Sequence, residues 1–271
     1  MADELGKGNS YPDLLNKCAQ YEVALLKFMT DNLGASRYGI FANKCWPSFE
    51  KYFGHVPCFI NGRLAARGIP VSCEVDIYGA LSEYIVSCAT QLPAAILDIN
   101  NTVPYDLIEA NKKIIGDYKP GDLFMGFHCG NVSSVCMVNP VMKYQLIMHR
   151  LMEPDKEANI TRGTLEGKIK AGIITIFRLQ STADTRLKSY MAQGEILDMD
   201  PKSFGSIGVF AIKEMSRFYR HILIEKRFPH HTAVAFNHVG KYLFEAMKML
   251  GLEDISFNLP ANIYYQTENP F

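Results

Sequence analysis

Three short segments of this chain carry side chains able to move protons or hold a metal. Glu74 directly follows the apolar run Pro70 to Cys73 and precedes an amphipathic stretch that opens near Asp76. A carboxylate there sits at the carboxyl end of a strand, where the loops of an open α/β sheet diverge and a helix N-terminus faces the crevice. The plainer reading is that Glu74 or Asp76 merely caps that helix. Asp98 ends the run Ala94, Ala95, Ile96, Leu97. An ionised carboxylate among such neighbours needs a metal, a cation or several donors, because burying it alone is costly. The alternative is a turn, since Asp98, Asn100 and Asn101 all favour turns. His230 and His231 open the segment FPHHTAVAFNH. If residues 232–236 form a strand, successive side chains face opposite ways, and only one of the two imidazoles shares the face of Ala233 and Ala235. An imidazole beside alanines has room for a ligand; a structural or surface histidine is the plainer outcome.

Other segments speak less clearly. His128–Cys129 in FHCGN has the residue types of a cysteine nucleophile with a base, yet no orienting partner is visible. With Gly126, Gly130 and Asn131 around it, this stretch reads as a backbone-rich turn in a pocket wall. The glycines of Gly205-Ser206-Ile207-Gly208 lack the strand-to-helix context of a phosphate loop. Trp46, the single tryptophan, is either a platform for stacking a sugar or a core anchor.

The elements that must position these residues follow from the apolar pattern. Ser10 and Asp13 precede Leu14, Leu15, Cys18, Leu25, Leu26 and Met29, which predicts a capped amphipathic helix stopped at Gly34. Strands are expected at 38–42, 56–60, 70–73 and 94–97, with helices after Pro47, before Gly68 and over 76–91. That alternation is the mark of βα units. Beyond Asn101, short apolar pieces at 122–127, 172–179 and 207–212 are punctuated by glycine and proline, and one last helix runs from about Gly240 to Leu250. The expected fold is therefore α/β: a doubly wound domain over 1–92, then a β-rich, barrel-like domain over 93–271 with a C-terminal helix.

Composition narrows the function classes. Lys+Arg and Asp+Glu both number 28 in 271 residues, so the formal net charge is zero. A basic surface for nucleic acid or anionic lipid is not indicated, and no apolar run reaches the roughly 18 residues of a membrane span. The N-terminus lacks the basic stretch and apolar core of a secretory signal. Seven widely spaced cysteines, none in a C-x-x-C pair, suggest thiols in a reducing, cytoplasmic setting.

Taken together and in order, NKCW (43–46), CEVDIYGAL (73–81), AAILDINN (94–101), FHCGN (127–131) and HHTAVAFNHVGKYLFEAMKMLG (230–251) resemble the L-fucose isomerase family. The interval from Glu74 to Asp98 resembles that between the family's two catalytic acids. The likeness covers most of residues 38–251 and implies an aldose–ketose isomerase using a divalent ion, usually Mn²⁺. On that likeness Glu74, Asp98 and His231 would hold the metal, and Glu74 and Asp98 would also move the proton. Asn43, Trp46, Gly130, Asn131 and His230 would contact a sugar. Family members are longer and begin with a further α/β domain, so residues 1–92 would correspond to their second domain. The chain is then expected to act as a short form, a fragment or one piece of a split enzyme, as a homo-oligomer or with a longer isomerase chain. A non-catalytic sugar-binding or assembly subunit is the competing expectation.

Overall fold

The computed structural model describes residues 1–100, 102–146 and 160–269. Its first helix, α1 (Leu14–Asn32), buries Leu14, Cys18 and Met29 along one side, as the spacing of its apolar residues predicts. Two residues of extended chain, β1 (Phe41–Ala42), pair in parallel with β2 (Val71–Ser72). Between them lie the short α2 (Glu50–Phe53) and α3 (Cys58–Ala65). The apolar run 56–60, expected as a strand, is instead the entry to α3. Pro57 takes the position just before the first helical turn, where a missing N–H costs nothing. Because α3 is buried on nearly every side, its sequence shows no helical period to distinguish it from a buried strand.

After β2, α4 (Ile77–Thr90) leads into β3 (Ala95–Asn100). The chain continues through α5 (Tyr105–Ala110), α6 (Lys112–Ile115), β4 (Leu123–His128), β5 (Met137–Leu146), β6 (Ile160–Ile169), β7 (Gly172–Ser181), β8 (Leu187–Leu197) and β9 (Ser206–Ala211). It ends with α7 (Met215–Phe218), β10 (His231–Ala235), α8 (Gly240–Met249) and β11 (Asp254–Phe257). β3 extends through Asn100, so Asp98 lies in a strand and not in the turn its neighbours also allowed; Asn101 lies outside the described residues.

The large sheet has the order β11-β8-β7-β10-β3-β4-β9-β6-β5, and β8 also pairs with β9. Strands β8, β7, β10, β3, β4 and β9 therefore close into a ring. Pairing around this ring is antiparallel; the parallel pairs among the described residues are β1–β2, β11–β8 and β6–β9. This differs from a doubly wound arrangement, which needs a run of parallel strands joined by helical crossovers. Helix and strand do alternate before residue 92, but with β1 and β2 so short they give only a two-stranded sheet.

Two apolar clusters flank the site. One joins Phe59, Ile60 and Leu64 of α3 to Leu97, Phe124, Leu165 and Phe210 of the sheet. The other packs Tyr78, Leu81 and Val86 of α4 and Leu243 and Met247 of α8 on Ile96, Phe177, Ala233 and Ala235. Small alanines on β10 let α4 approach closely, which brings the N-terminus of α4 to the rim of β3 and β10. No helix among the described residues is long and apolar enough to cross a membrane.

Candidate functional site

β10 runs antiparallel to β3 with His231 directly opposite Asp98. Opposed residues in an antiparallel pair project to the same face, so register alone places the imidazole beside the carboxylate. His231 is the histidine that shares its face with Ala233 and Ala235. Its Nε2 lies 3.1 Å from Asp98 Oδ1 and 3.8 Å from Glu74 Oε2. Glu74 arrives from the segment between β2 and α4, where Glu74 and Val75 adopt φ of 57° and 59°. Two successive non-glycine residues in the left-handed region, one of them β-branched, cost on the order of 1–3 kcal/mol each. The segment is held there by hydrogen bonds from Val75 N–H to the Asn43 carbonyl (3.1 Å) and from Asp76 N–H to the Cys73 carbonyl (3.0 Å).

The other nitrogen of His231 is fixed from behind. Nδ1 is 2.9 Å from Asp76 Oδ2, so this carboxylate holds the ring in one orientation. Asp76 also caps α4, accepting the Gly79 N–H at 2.9 Å, and the cap reading of the sequence is thus correct for Asp76. A Cβ on residue 79 would lie 2.3 Å from Asp76 Oδ2, so only glycine lets the carboxylate sit so low on the helix. Arg178, 2% exposed, donates to both Asp76 oxygens at 2.6 and 2.7 Å. A buried guanidinium with two parallel bonds is a strong and directional clamp.

These contacts set the charges. Burial alone would raise the Asp76 carboxyl, but His231 and Arg178 hold it well below the usual carboxylate range. Asp98, likewise opposed by burial, is lowered by the His231 imidazole and the neighbouring histidines. Burial would lower His231, yet Asp76 and Asp98 push it up to about 10. The cluster therefore holds a proton where a cation fits. Asp98 Oδ1 is buried and, among the described residues, no well-formed hydrogen bond reaches it, although Nε2 is close. Two carboxylates and one imidazole, with a carboxylate behind the imidazole, are a donor set suited to a divalent ion. Asp98, His230 and His231 form a group whose ligand atoms all lie within 4.8 Å of one another.

The remaining sequence-derived residues are dispersed around this centre. His230 is exposed, with Nε2 3.5 Å from Asp98 Oδ1. The Asn43 side chain donates to Asn61 Oδ1 at 3.0 Å, and its backbone supports the Glu74 segment. A Cβ on Gly130 would lie 2.4 Å from the Leu165 nitrogen, and its φ is +141°, so Gly130 is required by the close approach of β6. Asn131 is buried, and its Oδ1 has no hydrogen-bond partner among the described residues. The Trp46 side chain lies outside the described residues. The sequence reading missed Arg178 and weighed His128 only as half of a nucleophile pair. A lone arginine inside the apolar strand GIITIFRLQS was the available signal, since a charge there must have a buried partner. His128 is buried, its ring 5.9 Å from that of His231.

Comparison with known proteins bears on what this arrangement does. Residues 126–256 match the family described as L-fucose isomerase, C-terminal domain. The chain is 24% identical over 247 residues to a sulfoquinovose isomerase of Priestia aryabhattai, covering 90% of this chain and 49% of that protein. It is 24% identical over 248 residues to one of Alkalicoccus urumqiensis, covering 91% and 48%. It is 26% identical over 232 residues to one of Clostridium sp. (strain MSTE9), covering 85% and 47%. The chain spans about half the length of these curated relatives. It resembles the L-fucose isomerase family, as its ordered motifs imply.

Proposed function

We propose that this chain carries the metal-holding centre of an aldose–ketose isomerase that moves a proton between adjacent sugar carbons through an enediolate. The observation that carries this reading is the approach of Asp98 Oδ1 and Glu74 Oε2 to one nitrogen of His231 while Asp76 occupies the other. Glu74, Asp98 and His231 are the proposed ligands, and Mn²⁺ the proposed ion. When bound, a divalent ion supplies Lewis-acid stabilisation of the negative charge that develops on the sugar oxygens. Arg178 and Asp76 keep His231 in the tautomer that presents Nε2. Glu74, 43% exposed at its side chain, reaches toward the open side of the cluster, and Asp98 lies deeper. Glu74 and Asp98 are also the proposed pair that takes a proton from one sugar carbon and returns it to the next. His230, Asn43, Trp46, Gly130 and Asn131 are the proposed sugar contacts, in an oligomer or with a longer isomerase chain. The substrate class is an aldose of the fucose or arabinose type or, as the relatives' names suggest, a sulfonated sugar.

The test joins binding to turnover. Millimolar Mn²⁺ is expected to raise the melting temperature by linkage, and Glu74→Gln to abolish that rise. Aldose-to-ketose conversion is then followed across fucose, arabinose and sulfoquinovose in deuterated water, with and without Mn²⁺. Unchanged melting with Mn²⁺ overturns the metal centre. A second reading is a subunit that binds metal and sugar without turnover. Metal binding with no conversion until a longer isomerase chain is added supports that reading over the first.

A further inference from the structure

Four thiols lie in a line behind the carboxylate–imidazole cluster. Cys45 stands at the start of the turn before α2, Cys58 is the first residue of α3, Cys73 follows β2, and Cys129 follows β4. They interact in sequence: Cys45 with Cys73, Cys73 with Cys58, and Cys58 with Cys129. The line ends at His128, whose Nδ1 is 3.6 Å from Cys129 Sγ. Asn61 Nδ2 donates to Cys73 Sγ at 3.7 Å. Cys45, Cys58 and Cys73 are buried, whereas Cys129 is partly exposed. Among the described residues, no three of these sulfurs lie within 4.8 Å of one another, so the line is a set of pairs and not a preformed metal cage.

We propose that Cys129 and Cys58 are a peroxide-sensitive dithiol, with Cys129 the attacking thiol and Cys58 the resolving one. The assignment rests on geometry. Cys129 is the one member of the line whose residue is not fully buried, its sulfur touches an imidazole, and it has a second thiol in contact. A base-paired thiol beside a resolving cysteine is the arrangement that oxidises reversibly. The electrostatics agree: the Cys58 contact, against burial and with help from His128, holds the Cys129 thiol down to about 5. Burial would lower His128, but the Cys129 sulfur raises it to about 9.

The chemistry balances with a hydroperoxide as oxidant. The Cys129 thiolate attacks one peroxide oxygen, the O–O bond breaks, and hydroxide leaves, giving the sulfenic acid. The Cys58 sulfur then attacks Cys129 Sγ; an S–S bond forms, the S–O bond breaks, and water leaves with the Cys58 proton. Two thiols lose two electrons in all, and hydrogen peroxide becomes two waters. A dithiol reductant reverses the change. Oxidation removes the thiolate that lies beside His128.

The experiment uses the full chain carrying Cys88→Ser, which deletes the exposed thiol on α4. Protein treated with hydrogen peroxide is blocked with N-ethylmaleimide, digested without reduction and mapped by mass spectrometry. The expected result is a peptide linking Cys58 to Cys129, with the loss of two alkylatable thiols and their recovery after dithiothreitol. In Cys58→Ser the link is lost and dimedone traps Cys129 as its sulfenic adduct. If Cys129 stays fully alkylated while another cysteine oxidises, or pairs with a cysteine other than Cys58, the proposal is overturned. The peptide map of the Cys58-containing protein decides the matter even if the Cys58 variant does not fold.

Discussion

The oxygen–nitrogen cluster of Glu74, Asp76, Asp98, His231 and Arg178 and the sulfur line of Cys45, Cys73, Cys58, Cys129 and His128 are neighbours built on opposite principles. Each sets an imidazole against anions: His231 between Asp76 and Asp98, His128 beside Cys129. In the first, the anions are hard, ionised by a buried guanidinium and by sheet register, and they leave Asp98 Oδ1 without a well-formed hydrogen bond. In the second, thiols satisfy one another: the Cys73 contact, then burial, pushes Cys45 toward the neutral form, and the Cys129 contact does the same for Cys58. The lesson is that proximity of ligating residue types does not make equivalent sites. Oxygen and nitrogen donors clamped from behind suit a divalent ion, while soft donors in pairs suit electron chemistry.

The largest expected effect removes the clamp. Arg178→Leu leaves Asp76 buried without its bidentate partner, and loss of one member of such a pair costs about 3–5 kcal/mol. Urea denaturation measures this, and the peroxide-induced Cys58–Cys129 link should persist in the variant under native conditions. If Arg178→Leu is as stable as the parent, the oxygen cluster is not organised as described.

Asp98→Asn comes next. The stabilisation by Mn²⁺, about 2.7 kcal/mol at a hundredfold excess over Kd, should vanish in this variant and survive in Cys129→Ser. A metal response retained in Asp98→Asn, or lost in Cys129→Ser, would erase the distinction between the two regions.

A third test uses Glu83, a buried carboxyl on α4 that senses His128. Burial pushes it up to about 8, with His128 opposing. Its folded value exceeds the unfolded one, so its contribution to stability is fully present below about 4.5 and is lost as pH rises toward 8. Glu83→Gln should flatten that decline by on the order of 2 kcal/mol, read from denaturation midpoints at pH 5 and pH 8. An equal pH slope in both proteins would place the Glu83 proton elsewhere.

The smallest effect belongs to the sulfur side. Cys129→Ser replaces a thiol by a hydroxyl of similar size and should change stability by less than about 1 kcal/mol. His128 loses the partner that raises it, so its pKa should fall by roughly one unit or more from about 9. Titration of its ring protons by NMR checks this. An unmoved value would mean that Asp98, and not Cys129, keeps the ring charged.

Legibility differed by element. The helix over 76–91, the strand after Pro93 and the last helix were readable because each has a clear period or cap: Asp76 does cap α4, and Gly251 follows α8. The stretch 56–60 was not, because a helix buried on nearly every side shows no helical period. Asp98 looked equally like a turn residue, since the sequence does not say that β3 continues to Asn100. Glu74, Asp98 and His231 were nameable from their motifs, while Arg178 sat unremarked in β7 although a charge inside so apolar a strand calls for a partner.

The amino-acid sequence by itself determined which residues could hold a cation, which segments form most helices and strands, and the likeness to sugar isomerases, because these depend on residue type and local spacing. Tertiary structure decided the rest. Register between β3 and β10 set Asp98 against His231, the left-handed Glu74–Val75 segment brought a second carboxylate to within 3.8 Å of His231, and Arg178 reached Asp76 from a strand about a hundred residues away. Such pairings depend on how a sheet closes, and closure is set by packing across the whole chain, so no local pattern encodes it.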